Sequence, residues 1–498
     1  MRAVSRCIVP GLAVMASLAA FPASGAAQYI SLKTVPVATG DQFLLFPSQN
    51  MGMAGVSIAL DDPLLDPFVN PAKGSRLRGS LLFASPSIYD ISGDNGSGRA
   101  LPAGLLAGSN SWFGAAALSL QQLVAADRQF FVTPFFREPG SQLLSEKSSN
   151  NVYAFGMLGT RLPETNVSLG GSLFWAGLDA VEGVELLYAG SESIEQSGHM
   201  LDLRLGVYGE LEDQRTYEVL LLHNRFDMTH DVTYVDFVPL VDSLGMPIDP
   251  PFALREEENL DRTNTWGVHL GYVQPLASEG WRIGGIVTSN WKSHPKIPNY
   301  DIMNIPRDPG DSWALNLGLG VSRQLENTRF GLDLILEPIW SDTWADAAEP
   351  VPTASGDTIP VGGRTVENEF TFTNALVRLG AGWENQQVGF ELGLQIRTID
   401  YELKQVDHVQ ESKRNQDENW AEWTPTWGFS LKFSEFEVRY SGRVTTGTGR
   451  PGVAWTGVTQ ERFAAMDAAD IIIAPSAPLT LQDESVFTHQ FALSIPVR

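Results

Sequence analysis

The polar and apolar residues of this chain alternate. Leu201, Leu203, Leu205 and Val207 are apolar, and Asp202, Arg204, Gly206 and Tyr208 fall between them. A period of two marks a β-strand with one apolar and one polar face. The pattern returns at Trp266 to Tyr272 around His269, at Trp313 to Val321 around Asn316, and at Phe330 to Leu336 around Asp333. It returns again at Val377 to Trp383 around Arg378, at Phe390 to Ile396 around Glu391 with Arg397 next, and at Trp427 to Phe433. The chain therefore reads as all-β.

Two architectures share this pattern. In a soluble sandwich the apolar face turns inward and strands average about 5–6 residues. In a transmembrane barrel the apolar face meets lipid and strands run about 9–11 residues or more. The segments here are long, and their polar faces carry charges of both signs among many glycines, which suits a hydrated lumen. Trp266, Trp291, Trp313, Trp340 and Trp427 lie where an interfacial aromatic girdle would need them. Connection lengths also alternate. Tight ones are expected near Asn110-Ser111, Pro163 to Asn166, Glu212 to Gln214, Leu276 to Gly280, Glu326-Asn327, Asn385 to Gln387 and Ser434-Glu435. Long polar segments are expected at Asp90–Ala100, Ala125–Asn150, Asp179–Gly198, Arg225–Arg262, His294–Asp311, Ser341–Phe370, Gln405–Glu422 and Thr446–Glu484. Short periplasmic turns against long extracellular loops are the habit of outer-membrane barrels. The reading is a transmembrane antiparallel β-barrel of about sixteen strands over residues 79–498, with both ends periplasmic. Arg204, His269, Asn316, Asp333, Arg378, Glu391 and Arg397 would face its lumen, where charge swaps at Arg204 and Asn316 would be tolerated. An apolar run at Phe130 to Phe136 falls within an expected loop.

Composition narrows the partners. The 498 residues hold 58 acidic and 34 basic side chains, a formal charge of −24, which argues against nucleic acid. Charged residues are only 18% of the chain, below the roughly 25% usual in soluble domains. Arg2 and Arg6, the apolar stretch Ile8 to Ala20 and the small residues Ser24 to Ala27 form a secretory signal pattern over residues 1–27. The single cysteine, Cys7, lies inside that signal, so the mature chain would carry no disulfide.

Residues 28–78 precede the first strand without clean alternation. Within them stands Met51-Gly52-Met53-Ala54-Gly55-Val56-Ser57-Ile58-Ala59-Leu60-Asp61-Asp62, followed by Phe68-Val69-Asn70-Pro71-Ala72. Gly52 and Gly55 permit close backbone approach, and Asn70-Pro71 presets a turn. Asp61 and Asp62 have Arg76, Arg78 and lumenal Arg378 and Arg397 as candidate partners. This stretch resembles the FadL-type family of outer-membrane channels, and its PorV-like relatives in particular. Those chains carry a motif of the form GxxGAxxAxxDD…NPAGL before their first strand. The resemblance is specific over about thirty positions and architectural beyond them. It implies a barrel whose N-terminal segment folds inside as a plug, passing small hydrophobic solutes that leave laterally or through the periplasmic floor. The PorV-like branch implies instead a barrel that receives exported proteins for a secretion machine. Lys73 departs from the family's Gly, the family usually has fourteen strands, and the chain ends Ile495-Pro496-Val497-Arg498 rather than on an aromatic residue.

Catalytic chemistry is not indicated. The seven His are scattered, and no HExxH, nucleophile elbow or P-loop occurs. Leu317-Gly318-Leu319-Gly320 falls in a strand and reads as a packing feature. Asp94-Asn95-Gly96 lacks the full calcium-loop series. The expectation is a non-enzymatic barrel without cofactor or metal, resident in the bacterial outer membrane. Its partners would be membrane lipid and either a hydrophobic small molecule or secretion-system proteins.

Overall fold

The structure is a computed structural model that describes residues 41–92, 96–124, 148–181, 191–211, 213–237, 252–294, 310–347, 349–452 and 480–497. The expected signal at 1–27, the start of the 28–78 segment, Asp94-Asn95 and the run Phe130 to Phe136 lie outside the described residues.

The strands close into one antiparallel barrel. The first, β1, consists of Gly79–Ala84 and Ser87–Ile91. Then follow β2 Ser97–Gly108, β3 Trp112–Val124, β4 Ser148–Arg161, β5 Val167–Leu178 and β6 Ser191–Glu210. Next are β7 Thr216–Phe237, β8 Phe252–Pro275, β9 Trp281–His294, β10 Gly310–Gln324 and β11 Thr328–Asp346. The last are β12 Arg364–Glu384, β13 Val388–Asp407, β14 Ser412–Lys432, β15 Glu437–Gly452 and β16 Thr480–Val497. Each strand pairs with its sequence neighbours, and β1 closes the circle by pairing with β16 (Ser80↔Val497 to Ala84↔Leu493). The two halves of β1 share a single register against β2 and β16, so the barrel has sixteen strands. The ladder lapses at Pro86 because proline has no N–H to donate. The Ser85 N–H still donates to the Pro102 carbonyl, and the Phe491 N–H to the Pro86 carbonyl, each at 2.9 Å.

All the tight connections expected from sequence join strands at one end of the barrel. At the other end the strands run further than the alternation suggested. β1 stops at Ile91 and β2 starts at Ser97, while β13 stops at Asp407 and β14 starts at Ser412. The segments 90–100 and 405–422 are therefore largely strand and close turn rather than long loops. β6, β7 and β8 reach 20, 22 and 24 residues, about twice what a bilayer needs. The reason is solvent. Past the membrane the outward face meets water and turns polar while inward Phe370, Phe372 and Leu403 stay buried, so the lipid-facing alternation ends although the hydrogen-bond ladder continues. Exposed Lys404 and Glu402 form an ion pair on such an extension.

The outward face is an apolar belt. On β10 Leu317 and Leu319 are exposed, whereas Asn316, Gly318 and Gly320 between and beside them are buried. Trp266, Trp291, Trp313 and Trp340 sit side by side in register on β8 to β11, all exposed. The rings of Trp313 and Trp340 stack at 5.2 Å, and His223 stacks on Trp266 at 4.2 Å. Trp427 is not in this row; it pairs with Leu392 and Gly442, nearer the short-turn end. A second aromatic level there includes Trp281, Phe330, Trp383 and Phe390. Trp281 and Trp291 share a strand and lie about 25 Å apart along the barrel axis, taking ~3.3 Å per residue and a tilt near 40°. That matches the height of an outer-membrane apolar band.

The core lies inside the barrel, where residues 41–78 pack. They form short turns at Asp41–Phe43, Met51–Met53 and Pro71–Arg76 and one helical turn, α1, at Asp66–Val69. Phe43, Phe46 and Phe68 from this segment meet Phe83, Phe113, Phe155 and Phe174 from β1, β3, β4 and β5. Phe46 stacks on Phe68 at 4.1 Å, and Phe68 meets Phe155 at 4.8 Å. One side of the lumen is thus a dry aromatic core, each ring contributing about 1.5–3 kcal/mol by burial.

Candidate functional site: the lumen and its N-terminal segment

Asp62 organises the segment from within. Its carboxylate accepts hydrogen bonds from the Gln49 N–H at 2.9 Å, the Asn50 N–H at 3.2 Å, the Leu65 N–H at 3.1 Å and the Ser48 hydroxyl. The Asn50 side chain donates to the carbonyls of Val56 (3.0 Å) and Asp61 (3.2 Å). Asp62 therefore needs no arginine. Between these anchors Met51 to Met53 make one turn, Ala54 enters the left-handed region at φ 60° and Gly55 follows at φ 68°. A glycine at that second position avoids the penalty a side chain would meet there.

The wall has recesses for this backbone. A Cβ on Gly428 or on Gly52 would collide, since Gly52 lies against Gly428 and the Glu391 carboxylate. Gly380 and Gly393 likewise face Met53 and Ala54, Gly318 and Gly320 face Ile58, and Gly170 faces Pro71 and Ala72. Side chains of the wall then bind the segment's main chain. Asp333 accepts from the Ser57 N–H at 2.8 Å and the Ile58 N–H at 3.3 Å. The Thr426 hydroxyl accepts from the Ala54 N–H and donates to the Gly52 carbonyl, each at 2.9 Å. Arg378 donates to the Gly55 carbonyl at 3.3 Å and to Gln395. Arg204, fully buried, bonds Asp202 at 2.8 Å and the Val69 carbonyl at 2.8 Å, with its guanidinium over the Phe43 ring. Gln490 donates to the carbonyls of Leu44, Leu45 and Phe46, each at 3.2 Å.

Charged groups close the lower part. Asp61 pairs with Arg76 at 2.6 Å and Arg282 at 2.7 Å. Burial opposes its ionisation, yet the two guanidinium groups outweigh this and hold its carboxyl down at about 2. Asp66 lies 3.5 Å from Arg76 and 3.9 Å from Lys73, but burial dominates there and pushes its carboxyl up to about 7. Lys73 reaches Glu218 on β7 at 2.9 Å, and Asn70 donates to the same carboxylate at 2.8 Å. The Asn70 oxygen also accepts from the Ala72 N–H at 3.1 Å, which fixes the Asn-Pro turn. His269 bonds the Thr288 hydroxyl at 2.7 Å and lies 3.8 Å from Glu218. Glu391 pairs with Arg329 and lies 3.5 Å from Arg439.

Beside the segment runs an open chamber of about 180 Å³. Glu422, Thr424 and Thr445 line it toward the long-connection end, and Lys73, Glu218 and His269 line it toward the short-turn end. Between them a polar ledge of Asn316, Glu337 and Arg397 stands next to an apolar patch of Ile58, Ile286, Ile335 and Leu376. Asn316 donates to Glu337 at 3.2 Å, and Arg397 is 3.7 Å from the same carboxylate.

The residues singled out from sequence thus fall into three groups. Met51, Gly52, Gly55, Asp333, Arg378 and Glu391 meet around the Met51–Ile58 arm, and Asn70, Pro71, Ala72 and Arg204 meet around α1. Asn316, Arg397 and His269 face the chamber instead. Arg397 pairs with Glu337, and Asp61 finds Arg282 in addition to the expected Arg76. Sequence reasoning missed Glu218, Arg282, Thr426 and the aromatic core. Glu218 was hidden because Val219 and Leu221 outside and Leu220 and Leu222 inside leave no alternation around it. Among the described residues no group of three or more His, Cys, Asp or Glu is placed to hold a metal ion.

The fold defines the class: a closed sixteen-stranded barrel of the bacterial outer-membrane kind, its lumen occupied by its own N-terminal segment. No family model and no curated protein matches the sequence. Among solved structures the chain is similar to a Pseudomonas aeruginosa FadL homologue (11% identity, TM-score 0.45, 91% of this chain and 99% of that one). It is also similar to the Ralstonia pickettii toluene transporter TbuX (11%, 0.39, 90% and 97%) and the Pseudomonas putida toluene transporter TodX (11%, 0.38, 90% and 97%). The match to FadL-type barrels spans about nine-tenths of the chain at low identity, and it speaks to architecture alone.

Proposed function

We propose that this barrel is a non-enzymatic channel that admits small, largely apolar solutes from the long-connection side. The observation that carries the reading is the chamber beside the N-terminal segment, which extends from Glu422 to the Lys73–Glu218 pair. A solute would rest on Ile58, Ile286, Ile335 and Leu376. It would pass the segment once the Lys73–Glu218 and Asn70–Glu218 contacts part. The aromatic core around Phe46 and Phe68 anchors one side of the segment. The Met51–Ile58 arm, held by Thr426, Asp333 and Arg378 and by contact with the wall glycines, lies outside that aromatic core and is the part that shifts. Strand closure satisfies the barrel's own backbone groups, so the arm can move without unfolding the wall.

Uptake into vesicles containing outer-membrane lipid tests the reading. Reconstituted protein should speed the uptake of a small aromatic solute, and Lys73→Ala should speed it further. No acceleration by either protein would reject the channel. A second reading, a barrel that receives exported proteins, is favoured by one feature, the projection of β6, β7 and β8 well past the membrane. Co-purification with a secretion component, with no solute uptake, would support it.

A further inference from the structure

We infer that the chamber is built for a neutral amphipathic solute, an apolar body carrying a hydroxyl head, rather than for a pure hydrocarbon or an anion. The inference rests on the channel reading and names its substrate class.

Two polar side chains lining the chamber, Glu337 and Asn316, and Asn374 beside Glu337 on the neighbouring strand carry unused hydrogen-bonding capacity. Glu337 is 4% exposed and Asn316 and Asn374 are each 1% exposed. Glu337 Oε2, Asn316 Oδ1 and Asn374 Nδ2 have no hydrogen-bond partner. Glu337 and Asn374 are cross-strand partners in the β11–β12 register, so an open acceptor and an open donor stand side by side. Glu337 already lines the chamber, and a turn of its carboxyl presents Oε2 to a solute. Such groups are rarely left unsatisfied when buried, and they mark a place where a partner is received. One hydroxyl both donates and accepts, which is what this pair lacks.

Charge decides the ionisation state of the head. An anion at this point would face the Glu337 carboxylate. An ammonium would face Arg397, whose Nε lies 3.7 Å from Glu337 Oε2. The lining carries Lys73, Arg378, Arg397 and Arg443 against Asp62, Asp66, Glu218, Glu337 and Glu422, so the chamber has no field of one sign to draw in an ion. A neutral head avoids both repulsions. Next along the wall come Ile335 and Leu376, cross-strand partners, with Ile286 and Ile58 against them. This patch takes the apolar body and presses it on Ile58, whose N–H is held by Asp333. A hydrocarbon would cover the same patch but leave the Glu337 and Asn316 oxygens without a partner, whereas a hydroxyl would supply one.

The test uses three probes of one shape, p-cresol, p-xylene and p-toluate, titrated against full-length protein in detergent and corrected for partition into empty micelles. The expected result is p-cresol bound at least about tenfold more tightly than either of the others. Glu337→Gln and Asn316→Leu should each remove most of that preference, Asn316→Leu by tightening p-xylene as well as weakening p-cresol. Retained heat-modifiability on gels shows that each variant is folded. Equal affinity for p-cresol and p-xylene would overturn the inference and leave the channel standing. Tighter binding of p-toluate would overturn it in favour of an anionic head. Absence of binding by all three would reject both the inference and the solute-channel reading.

Discussion

Gly52 and Gly428, 376 positions apart in the chain, lie in backbone contact: a Cβ built on Gly52 would sit 2.7 Å from the Gly428 Cα. One belongs to the lumenal segment and the other to β14. Gly52→Ala should therefore displace the Met51–Ile58 arm at a cost of about 1–3 kcal/mol, the usual penalty for overpacking. Single-channel conductance in planar bilayers should rise, while the variant remains heat-modifiable. An unchanged conductance would show that the arm does not limit the path.

Asp333, on β11 three strands round the wall from β14, holds the far end of the same arm. Asp333→Leu removes the acceptor for the Ser57 and Ile58 N–H groups, leaving two donors to find water, at about 1–3 kcal/mol. Hydrogen exchange should speed up at Ser57 and Ile58 and stay slow at the β11 and β12 ladders. Faster exchange throughout β11 would mean that Asp333 stabilises the barrel rather than the docked arm.

The lipid and lumenal faces should respond differently on adjacent residues. Leu203→Arg and Leu317→Arg put charge into lipid, at roughly 2–4 kcal/mol near the midplane. The earlier expectation that Arg204 tolerates a charge swap does not survive the structure. Arg204→Glu would leave Asp202 buried beside a like charge and strip the Val69 carbonyl, so the loss should reach about 3–5 kcal/mol. Asn316, also buried, donates to Glu337, and a carboxylate there would repel it. Unfolding by denaturant in micelles measures all four. A benign Arg204→Glu would contradict the buried pair.

The docked segment should be sensitive to pH. Asp66 has its folded value raised to about 7 from 3.8, so the docked state binds a proton more tightly than the undocked one. Its docking therefore weakens as pH rises from about 4 to 7. Asp61 works in the opposite sense. Its value is lowered to about 2, so the stability it gives is present above about 4 and lost as pH falls toward 2. Docking should be strongest near pH 4. Protease cleavage within residues 41–78 across this range should be slowest there, and Asp66→Asn should flatten the rise between pH 4 and 7. A flat profile in the parent chain would remove Asp66 from the account.

Deleting residues 41–66 should leave a closed barrel and open an ion-conducting path, because the strands satisfy their own hydrogen bonds by closure. Asn70-Pro71-Ala72 stays in place, since the turn it caps leads into β1. Near-zero conductance after deletion would mean that wall side chains such as Arg204, Glu337 and Arg397 already fill the lumen.

The strands, their lipid-facing side and the tight connections could be read from the sequence, because each rests on a period of two or a turn signal within a few residues. So could the special character of Gly52, Gly55 and Asn70-Pro71, whose backbone demands are local. Strand extents were read less well. Gln405–Glu422 is polar at most positions, Gln405 even where it is buried, and composition ceases to distinguish strand from loop.

What joins the two parts of the molecule was decided only by the fold. Asp333 and Ser57 are 276 positions apart, Ala54 and Thr426 are 372, and Asn70 and Glu218 are 148. Alternation fixes which residues of a strand point inward, but not their height or their place around the circle. Those follow from the register of sixteen strands and the closure of β1 on β16. Gly318, Gly320 and Gly428 read alike along the chain, as small residues in strands. Only the closed barrel makes the first two a recess for Ile58 and the third a recess for Gly52, because a close contact depends on three coordinates and a sequence pattern supplies one.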